Sequence, residues 1–258
     1  MLLLILLNTA CQARDCTQVG QQRVSTQDGM AQMCVPAGEF ISGEGQEMQR
    51  INLDAFWIDR TEVTNAMFAR CVKAGACHAR EYSPYLWGVK SNTRDDYFTN
   101  PAYADYPVIM LEGGDAAAYC EWVGRRLPGG LEWEKAARGT DGRTYPWGEG
   151  IDCERANYGT CSKDTAPADS YPAGASPYGV LNMAGNLQEW TAEWYDPRDG
   201  SPMTETQAQA YDGPVYRTLR GGAWGLYDRD ARTTARANGE PEHYFDGKLG
   251  FRCAANAQ

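Results

Sequence analysis

A short segment rich in oxygen donors lies in the C-terminal half of the sequence. Residues 182–189 read Asn-Met-Ala-Gly-Asn-Leu-Gln-Glu and offer amide, carbonyl and carboxylate oxygens in one tight loop. Hard cations such as Ca²⁺ prefer oxygen ligands of this kind. The same side chains could instead satisfy buried backbone groups. The segment therefore predicts either a calcium-binding loop or a polar turn that completes the hydrogen bonding of the core.

The cysteines predict a disulfide framework. The chain has nine cysteines, and setting aside Cys11 leaves eight, an even number that suits four disulfides in an oxidising compartment. A zinc site is the alternative, but no Cys-x-x-Cys pair occurs and the histidines are only two. Spacing suggests these pairs: Cys71 with Cys77, Cys153 with Cys161, Cys16 with Cys34, and the remaining Cys120 with Cys253.

The two histidines do not indicate nucleophilic catalysis. A serine–histidine–aspartate site would need His78 or His243, and neither has neighbours in the sequence that suggest one. His78 follows a short predicted disulfide loop, and His243 lies in a polar turn. We expect both side chains to be solvated.

Composition limits the class of protein. At 258 residues and 43% hydrophobic content, the chain can bury one substantial core in one domain. A formal charge of −10, a pI near 4.8 and the absence of any Lys/Arg run argue against a nucleic-acid partner. The many glycines and aromatic residues indicate loops held by aromatic anchors rather than a helix bundle.

The N-terminus resembles a lipoprotein signal. Residues 1–7 are apolar, and Asn8, Thr9 and Ala10 precede Cys11, which would carry the lipid after removal of residues 1–10. The apolar run is short and lacks a preceding basic residue, so plain secretion or a fortuitous apolar start are the alternatives. We expect an exported lipoprotein, outer-membrane or periplasmic, that touches the membrane only through its anchor, with a tether over residues 11–32 and a domain over residues 33–258.

The elements that must position these residues are short. Residues 33–40 and 51–59 are predicted as strands. Three helices are expected, at residues 65–74 with Thr64 as cap and Gly75 as stop, from Asp115 to Gly124, and from Pro128 to near Gly139. Mostly loop follows up to Gly185, then short strands around residues 217–224 and 250–253. The pattern predicts one irregular α+β domain.

Short motifs along the chain together resemble the formylglycine-generating-enzyme (sulfatase-modifying factor) family. Each is weak alone, but their order is specific, and the match runs from about Met33 to Cys253. One departure is Gly129-Gly130, where the family has Thr-Glu as a helix cap, and glycine caps more weakly. The motifs are residues 35–40, 61–65, 107–108, 118–122, 126–128, 132–134, 136–139, 146–148, 182–186, 189–190, 220–222 and 249–252.

The resemblance implies a single compact domain related to the C-type lectin fold and poor in regular secondary structure. It also implies a disulfide between Cys120 and Cys253, in agreement with the pair left over from spacing. Active members of the family oxidise a substrate cysteine to formylglycine with two copper-binding cysteines after the Arg-Gly-Gly strand. Copper(I) needs soft thiolates, yet Leu226 stands at the first of these positions and no cysteine lies between Arg220 and Phe251. We therefore expect no copper and no formylglycine generation.

The resemblance also implies calcium ligands and a groove. The first calcium site would use the side chains of Asn182 and Glu189 with the carbonyls of Gly185 and Leu187. The second would use Asn157, the Tyr158 carbonyl and Asp164 as a replacement ligand. The groove that holds substrate in the enzymes maps to Trp224, Leu226, Asp228, Asp230, Arg232 and Arg236, near Tyr227 and Arg229.

Two plainer interpretations apply to the same groove residues. Some of these charges could form an ion-pair network instead of a binding surface. The aromatic loop at residues 82–98 could shape the groove, or its Trp87 could be a packing anchor.

Two hypotheses of function follow. The first is a non-catalytic binding or accessory lipoprotein that holds a peptide, protein or glycan. The second is oxidation of a non-sulfatase substrate, as in family members that resemble the pyoverdine-maturation protein, with Asp228, Asp230 or Glu240 as base. The iron-binding histidine motif of the ergothioneine enzymes is absent from the sequence. Formylglycine generation is the third and weakest alternative.

Overall fold

The structure is a computed structural model that describes residues 15–78, 93–94, 96–241 and 246–257. The predicted signal at residues 1–10, Cys11, Trp87 and His243 lie outside the described residues. In chain order the elements are β1 Gln22–Val24, β2 Ala31–Val35, β3 Gly38–Ser42, β4 Gln49–Leu53, β5 Phe56–Asp59, α1 Asn65–Lys73, α2 Gly113–Trp122, α3 Gly130–Arg138, β6 Gln188–Tyr195, β7 Pro202–Met203, α4 Glu205–Gln209, β8 Tyr216–Arg220, β9 Ala237–Gly239, β10 Leu249–Gly250 and β11 Ala254–Asn256.

One antiparallel sheet joins the two ends of the chain. Its strand order is β1-β2-β5-β11, and Ile58 of β5 faces Met33 on one side and Ala254 on the other. All four residues of β5 are buried, which is the burial expected of a central strand covered on both faces. The sheet therefore pairs β11, near the C-terminus, with β5 from the N-terminal part of the chain.

A second sheet carries most of the site. Its order is β10-β6-β8-β9, with β7 paired to β6. β6 is parallel to β10 and antiparallel to β8, with a register shift between Trp190 and Trp194. The remaining strands, β3 and β4, form a separate antiparallel hairpin.

The three predicted helices are confirmed, with boundaries shifted by about two residues, and the short helix α4 was not predicted. Thr64 caps α1 by accepting a hydrogen bond from the Met67 N–H, and Gly75 follows with a φ of 72°. α2 begins at Gly113 rather than Asp115, because the Asp115 carboxylate accepts a hydrogen bond from the backbone N–H of Glu112, the N-cap. Asp115 therefore lies within the first turn of α2.

The two glycines at the start of α3 have different roles. Gly129 is the N-cap, and its N–H donates to Glu132 Oε2 at 2.8 Å. A Cβ on Gly130 would overlap the carboxylate of Glu193. The departure from the family's Thr-Glu pair thus leaves room for Glu193 against the helix start.

The predicted boundary at residue 33 is wrong for the described part of the tether. Residues 15–32 contribute β1 and the first two residues of β2, and Cys16, Asp28 and Met30 are each at most 4% exposed. Arg125 pairs with Asp28, and Cys16 is bonded to Cys34. The polar composition of this segment hid its burial, because an ion pair and a disulfide hold it instead of an apolar face.

The strand predictions need four further corrections. The segment at residues 51–59 forms parts of two strands, β4 and β5, and the strand expected at residues 217–224 ends at Arg220. The longest strand, β6, was missed because residues 182–189 were interpreted as a loop throughout. Of the strand expected at residues 250–253, only Gly250 lies in a strand, as the last residue of β10, and residues 251–253 are the gap between β10 and β11.

The core and the disulfides support the predicted fold class. Trp190, Tyr119 and Phe251 pack with the Cys120–Cys253 disulfide in one buried cluster, and Trp133 anchors a second. All four predicted disulfides are present: Cys16–Cys34, Cys71–Cys77, Cys120–Cys253 and Cys153–Cys161. The chain is a single irregular α+β domain stapled by disulfides, as predicted. Among the described residues, no helix has the length and apolar character to cross a bilayer.

Candidate functional site

The predicted calcium loop leads into β6 through a tight turn. Asn182 and Asn186 have φ values of 56° and 63°, in the left-handed region that asparagine tolerates better than most residues. Gly185 lies between them at a φ of 82°, and a Cβ there would overlap the carbonyl of Asn157. The turn therefore requires glycine, and it brings Asn157 against the loop.

Glu189, the carboxylate predicted to bind calcium, is fully buried and already paired. Its Oε1 accepts from Arg252 Nη2 at 2.6 Å, and its Oε2 accepts from Arg252 Nε at 2.7 Å and from Trp133 Nε1 at 2.8 Å. Both side chains of the ion pair are 0% exposed. A guanidinium thus occupies the place at this carboxylate that a cation would take.

A second buried carboxylate, Glu62, lies in the same cluster. Glu62 Oε2 accepts from Asn182 Nδ2 at 2.9 Å and Oε1 accepts from Asn186 Nδ2 at 2.8 Å. Burial raises the pKa of Glu62 to about 7, with a further rise from the neighbouring Glu189, while Arg252 opposes the change. The sequence analysis did not single out Glu62, although Thr-Glu-Val-Thr-Asn was among the motifs.

The second predicted calcium set contains an unpaired oxygen. Asn157 is 0% exposed and donates through Nδ2 to the Asp164 carbonyl at 3.0 Å and to Asn186 Oδ1 at 3.2 Å. Its Oδ1 is buried and has no hydrogen-bond partner in the described part of the chain. Buried polar atoms are normally satisfied, so an oxygen of this kind is a candidate ligand.

The other two predicted ligands of the second calcium site, Asp164 and Tyr158, are less available to a cation. Asp164 is 3% exposed, and its carboxylate accepts from the Thr165 N–H at 2.8 Å and from Thr93 Oγ1 at 2.7 Å, with Arg94 at 3.5 Å. Tyr158 is half-buried. The arrangement fits calcium at the Asn157 oxygen and does not fit it at the Glu189 carboxylate; calcium binding itself stays a prediction.

The groove residues predicted around Leu226 separate into two groups. Trp224 and Leu226 form the first, and Asp230, Arg232 and Arg236 form the second. Trp224 is 8% exposed, packs with Tyr97, Ile109 and Leu187, and donates through Nε1 to the Gly247 carbonyl at 3.2 Å. Leu226 is half-buried, and its carbonyl accepts from the Gly159 N–H at 2.7 Å. Trp224 is therefore placed in the core, and Leu226 lies at the edge of the loop that contains Asn157.

Asp230, Arg232 and Arg236 line two adjacent openings. The larger is a polar cleft of about 300 Å³ between the β3–β4 turn and the segment after the 3₁₀ helix Asp228–Ala231. We call it the arginine cleft. A small hollow of about 20 Å³ beside Gly222 is lined by Asp230 and Arg236. The charged and hydroxyl side chains that line the arginine cleft include Glu44, Glu47, Arg229, Arg232, Thr234 and Arg236.

An exposed ion pair crosses the arginine cleft. Arg232 Nη1 lies 2.8 Å from Glu44 Oε1, and Thr234 Oγ1 donates to Glu44 Oε2 at 3.1 Å. Arg236 Nε lies 3.7 Å from Glu193 Oε1. Asp228 is exposed and accepts from the Arg229 N–H. Glu44 was missed by the sequence analysis, because a glutamate in a glycine-rich turn has no distinguishing pattern.

Comparison with known proteins identifies the class of domain. Residues 17–257 match the family described as the sulfatase-modifying factor enzyme 1-like domain, and the chain belongs to this family. Its fold is accordingly of the formylglycine-generating-enzyme type.

Individual relatives define the similarity further. The serine/threonine-protein kinase pkn1 of Chlamydia caviae is 36% identical over 234 residues, which are 85% of this chain and 37% of that protein. The chain thus spans little more than a third of that relative. The formylglycine-generating enzyme of Streptomyces coelicolor is 30% identical over 286 residues, covering 88% of this chain and 89% of the enzyme. The structure of PvdO from Pseudomonas aeruginosa superposes with a TM-score of 0.71 at 23% identity, covering 93% and 99% of the two chains.

Proposed function

We propose that the protein is an exported, calcium-binding lipoprotein of the sulfatase-modifying-factor family that binds a ligand and does not perform copper-dependent oxidation. Residues 1–10 would serve as its signal, and Cys11 would carry the lipid anchor. The observation that carries the proposal is the replacement of the copper ligands. Leu226 stands at the first ligand position, and the eight cysteines other than Cys11 are paired in four disulfides.

The chemistry of copper supports this proposal. Copper(I) is held in proteins by soft thiolate or thioether sulfur. A leucine side chain offers no lone pair, and a sulfur in a disulfide is not a thiolate. The residues around Leu226 therefore do not fit a copper-cysteine site.

The arginine cleft supports binding of a polar ligand. The side chains of Arg232 and Glu44 are 41% and 58% exposed, so their ion pair is worth little and can be exchanged for contacts to a ligand. Arginine offers several donors in a fixed plane, and the glutamates and Thr234 offer acceptors beside them. This mixture suits the hydroxyl, amide and carboxylate groups of a peptide, a protein or a glycan.

Calcium would act at the loop of Asn157. Its buried Oδ1 supports a cation there, with the Tyr158 carbonyl beside it in the chain. When bound, the ion would supply a fixed positive charge that holds this loop in place. Asn157 also contacts the turn at Gly185, so ordering of the loop would extend to the start of β6.

The binding proposal is tested with glycan and peptide arrays, each probed with calcium and with a chelator. The double variant Arg232→Ala/Arg236→Ala should lose about tenfold or more in affinity, a typical effect for removal of charged contacts. Arg50→Ala is the matched control, since Arg50 is an exposed arginine of β4 paired with an exposed Glu39. No ligand above background in either condition, or equal loss in the control, would refute the proposal.

A second candidate is oxidation of a substrate other than a sulfatase. Asp230 favours it, because this half-buried carboxylate lines the small hollow beside Arg236 and could act as a base. Oxygen uptake by periplasmic extracts, with and without the protein, separates the two candidates. An aldehyde formed in a sulfatase-motif peptide would instead indicate formylglycine generation.

A further inference from the structure

One of the four disulfides differs from the others in exposure. Cys153 is exposed and Cys161 is half-buried. The other six paired cysteines are between 0% and 7% exposed. A reductant in solution can therefore approach Cys153 without unfolding the domain, and the remaining three disulfides are shielded.

The loop closed by this disulfide contacts both predicted functional regions. The Asn157 carbonyl accepts from the Asn186 N–H at 2.8 Å, and the Gly159 N–H donates to the Leu226 carbonyl at 2.7 Å. Gly159 and Trp224 also form an isolated parallel bridge. The segment from Cys153 to Cys161 is thus held at its ends by a covalent bond and in its middle by contacts to the calcium turn and to the Leu226 edge.

We propose that Cys153–Cys161 is a thiol–disulfide exchange site that takes a dithiol as its reductant. A thiolate of the dithiol attacks Sγ of Cys153, the S–S bond breaks, and Cys161 leaves as a thiolate and takes up a proton. The second thiol of the reductant then attacks the mixed disulfide and releases Cys153 as a thiol. Two electrons and two protons pass from the dithiol to the protein, and the reductant becomes a cyclic disulfide.

Reduction would loosen the loop without unfolding the domain. With the covalent closure removed, only non-covalent contacts position Asn157 and Gly159. The calcium site and the Leu226 edge would then become more mobile together. This consequence rests on the proposed function only where it concerns calcium; the exchange chemistry itself does not.

The exchange is tested on the full chain by titration with dithiothreitol, alkylation and peptide mass spectrometry. Cys71–Cys77 is the matched control, because its sequence separation of 6 is close to the 8 of Cys153–Cys161 but both its cysteines are buried. We expect Cys153 and Cys161 to be alkylated at a dithiothreitol concentration about tenfold or more lower than the one that Cys71 and Cys77 require. The near-ultraviolet circular dichroism spectrum should stay native at that concentration. Simultaneous labelling of the two pairs, or labelling of Cys153 only upon unfolding, overturns the proposal.

The coupling to the loop is tested by hydrogen exchange without calcium or ligand. In Cys153→Ser/Cys161→Ser, and in wild type reduced as above, the amides of Gly159 and Asn186 should exchange about tenfold or more faster. In Cys71→Ser/Cys77→Ser they should exchange at the wild-type rate. Unchanged protection of both amides upon reduction would overturn the coupling, whereas failure of calcium or ligand binding alone would count only against the proposed function.

Discussion

Arg252 and Glu189 form a two-point ion pair in the centre of the domain, where neither side chain is exposed. The pair joins the segment after β10 to the start of β6. Arg252 also donates to the carbonyls of Asp59 and Leu181, so one guanidinium holds four segments. The interaction is structural, and it removes the best carboxylate of the oxygen-rich loop from the set of cation ligands.

Breaking this pair should destabilise the protein strongly. In Arg252→Met, Glu189 would keep only the Trp133 hydrogen bond and would be a buried, uncompensated charge. Loss of one partner of a buried pair typically costs about 3–5 kcal/mol. Arg50→Met removes an exposed partner of Glu39 and should cost less than about 1 kcal/mol. Urea unfolding of both variants measures the difference, and similar losses would contradict the structural role of Arg252.

The protein should be less stable at neutral than at mildly acidic pH. Arg125 pairs with both Asp28 and Asp59, so two carboxylates share one cation. Burial raises the pKa of Asp59 to about 6 despite Arg125, and the nearby Asp28 adds to the rise. An acid with a raised folded pKa stabilises the fold below its unfolded pKa, and this contribution is lost as the pH rises through 6. From Asp59 alone we expect a loss of about 2 kcal/mol between about pH 4.5 and 7.5.

The pH effect is checked by measuring the free energy of unfolding in urea across that pH range, in the presence of a calcium chelator. Asp59→Asn should be less stable overall but show a smaller pH slope. Glu62, with its pKa raised to about 7, acts in the same direction and should leave a residual slope. Burial also acts to raise the pKa of Asp28, but Arg125 and hydrogen bonds lower it on balance, so its contribution falls at more acidic pH. Rising stability from pH 4.5 to 7.5 would contradict this assignment.

Local signals in the sequence were sufficient for the three longer helices and the disulfides. Thr64 and Gly75 bound α1 because capping and termination depend on neighbouring residues alone. The spacing of Cys71 and Cys153 from their partners indicated short loops, and the family resemblance reinforced the long Cys120–Cys253 link. The fold class follows from these same features.

Contacts between distant segments could not be predicted in this way. Asp28 is buried in an ion pair with Arg125, which is distant in the sequence. No residue near Asp28 in the sequence indicates this partner. Glu189 looked like a cation ligand because its neighbours are polar, whereas its partner is Arg252. The family resemblance assigned Trp224 to the groove, although it packs against Ile109. In each case the sequence showed the character of the segment but did not identify the distant residue that contacts the side chain.

The two glycines at the start of α3 should respond differently to substitution. A Cβ on Gly129 meets Glu132 Oε2 at 3.4 Å, and its φ of −66° suits any residue. Gly129→Thr should complete a capping box with Glu132 and add roughly a few tenths of a kcal/mol of stability. Gly130→Ala should instead be destabilising, because its methyl group displaces Glu193. Thermal unfolding of the two neighbouring variants provides the comparison, and equal effects would contradict the capping geometry.

Calcium should stabilise the protein through Asn157. At a calcium concentration of about 100 Kd the gain is about 2.7 kcal/mol, which corresponds to a rise in Tm of about 5–10 °C for a domain of this size. Asn157→Ser should abolish the rise. Asn65→Ser is the matched control, because Asn65 is also a buried asparagine whose Oδ1 lacks a partner among the described residues, but it lies at the start of α1. A calcium-dependent rise that persists in Asn157→Ser would place the cation elsewhere.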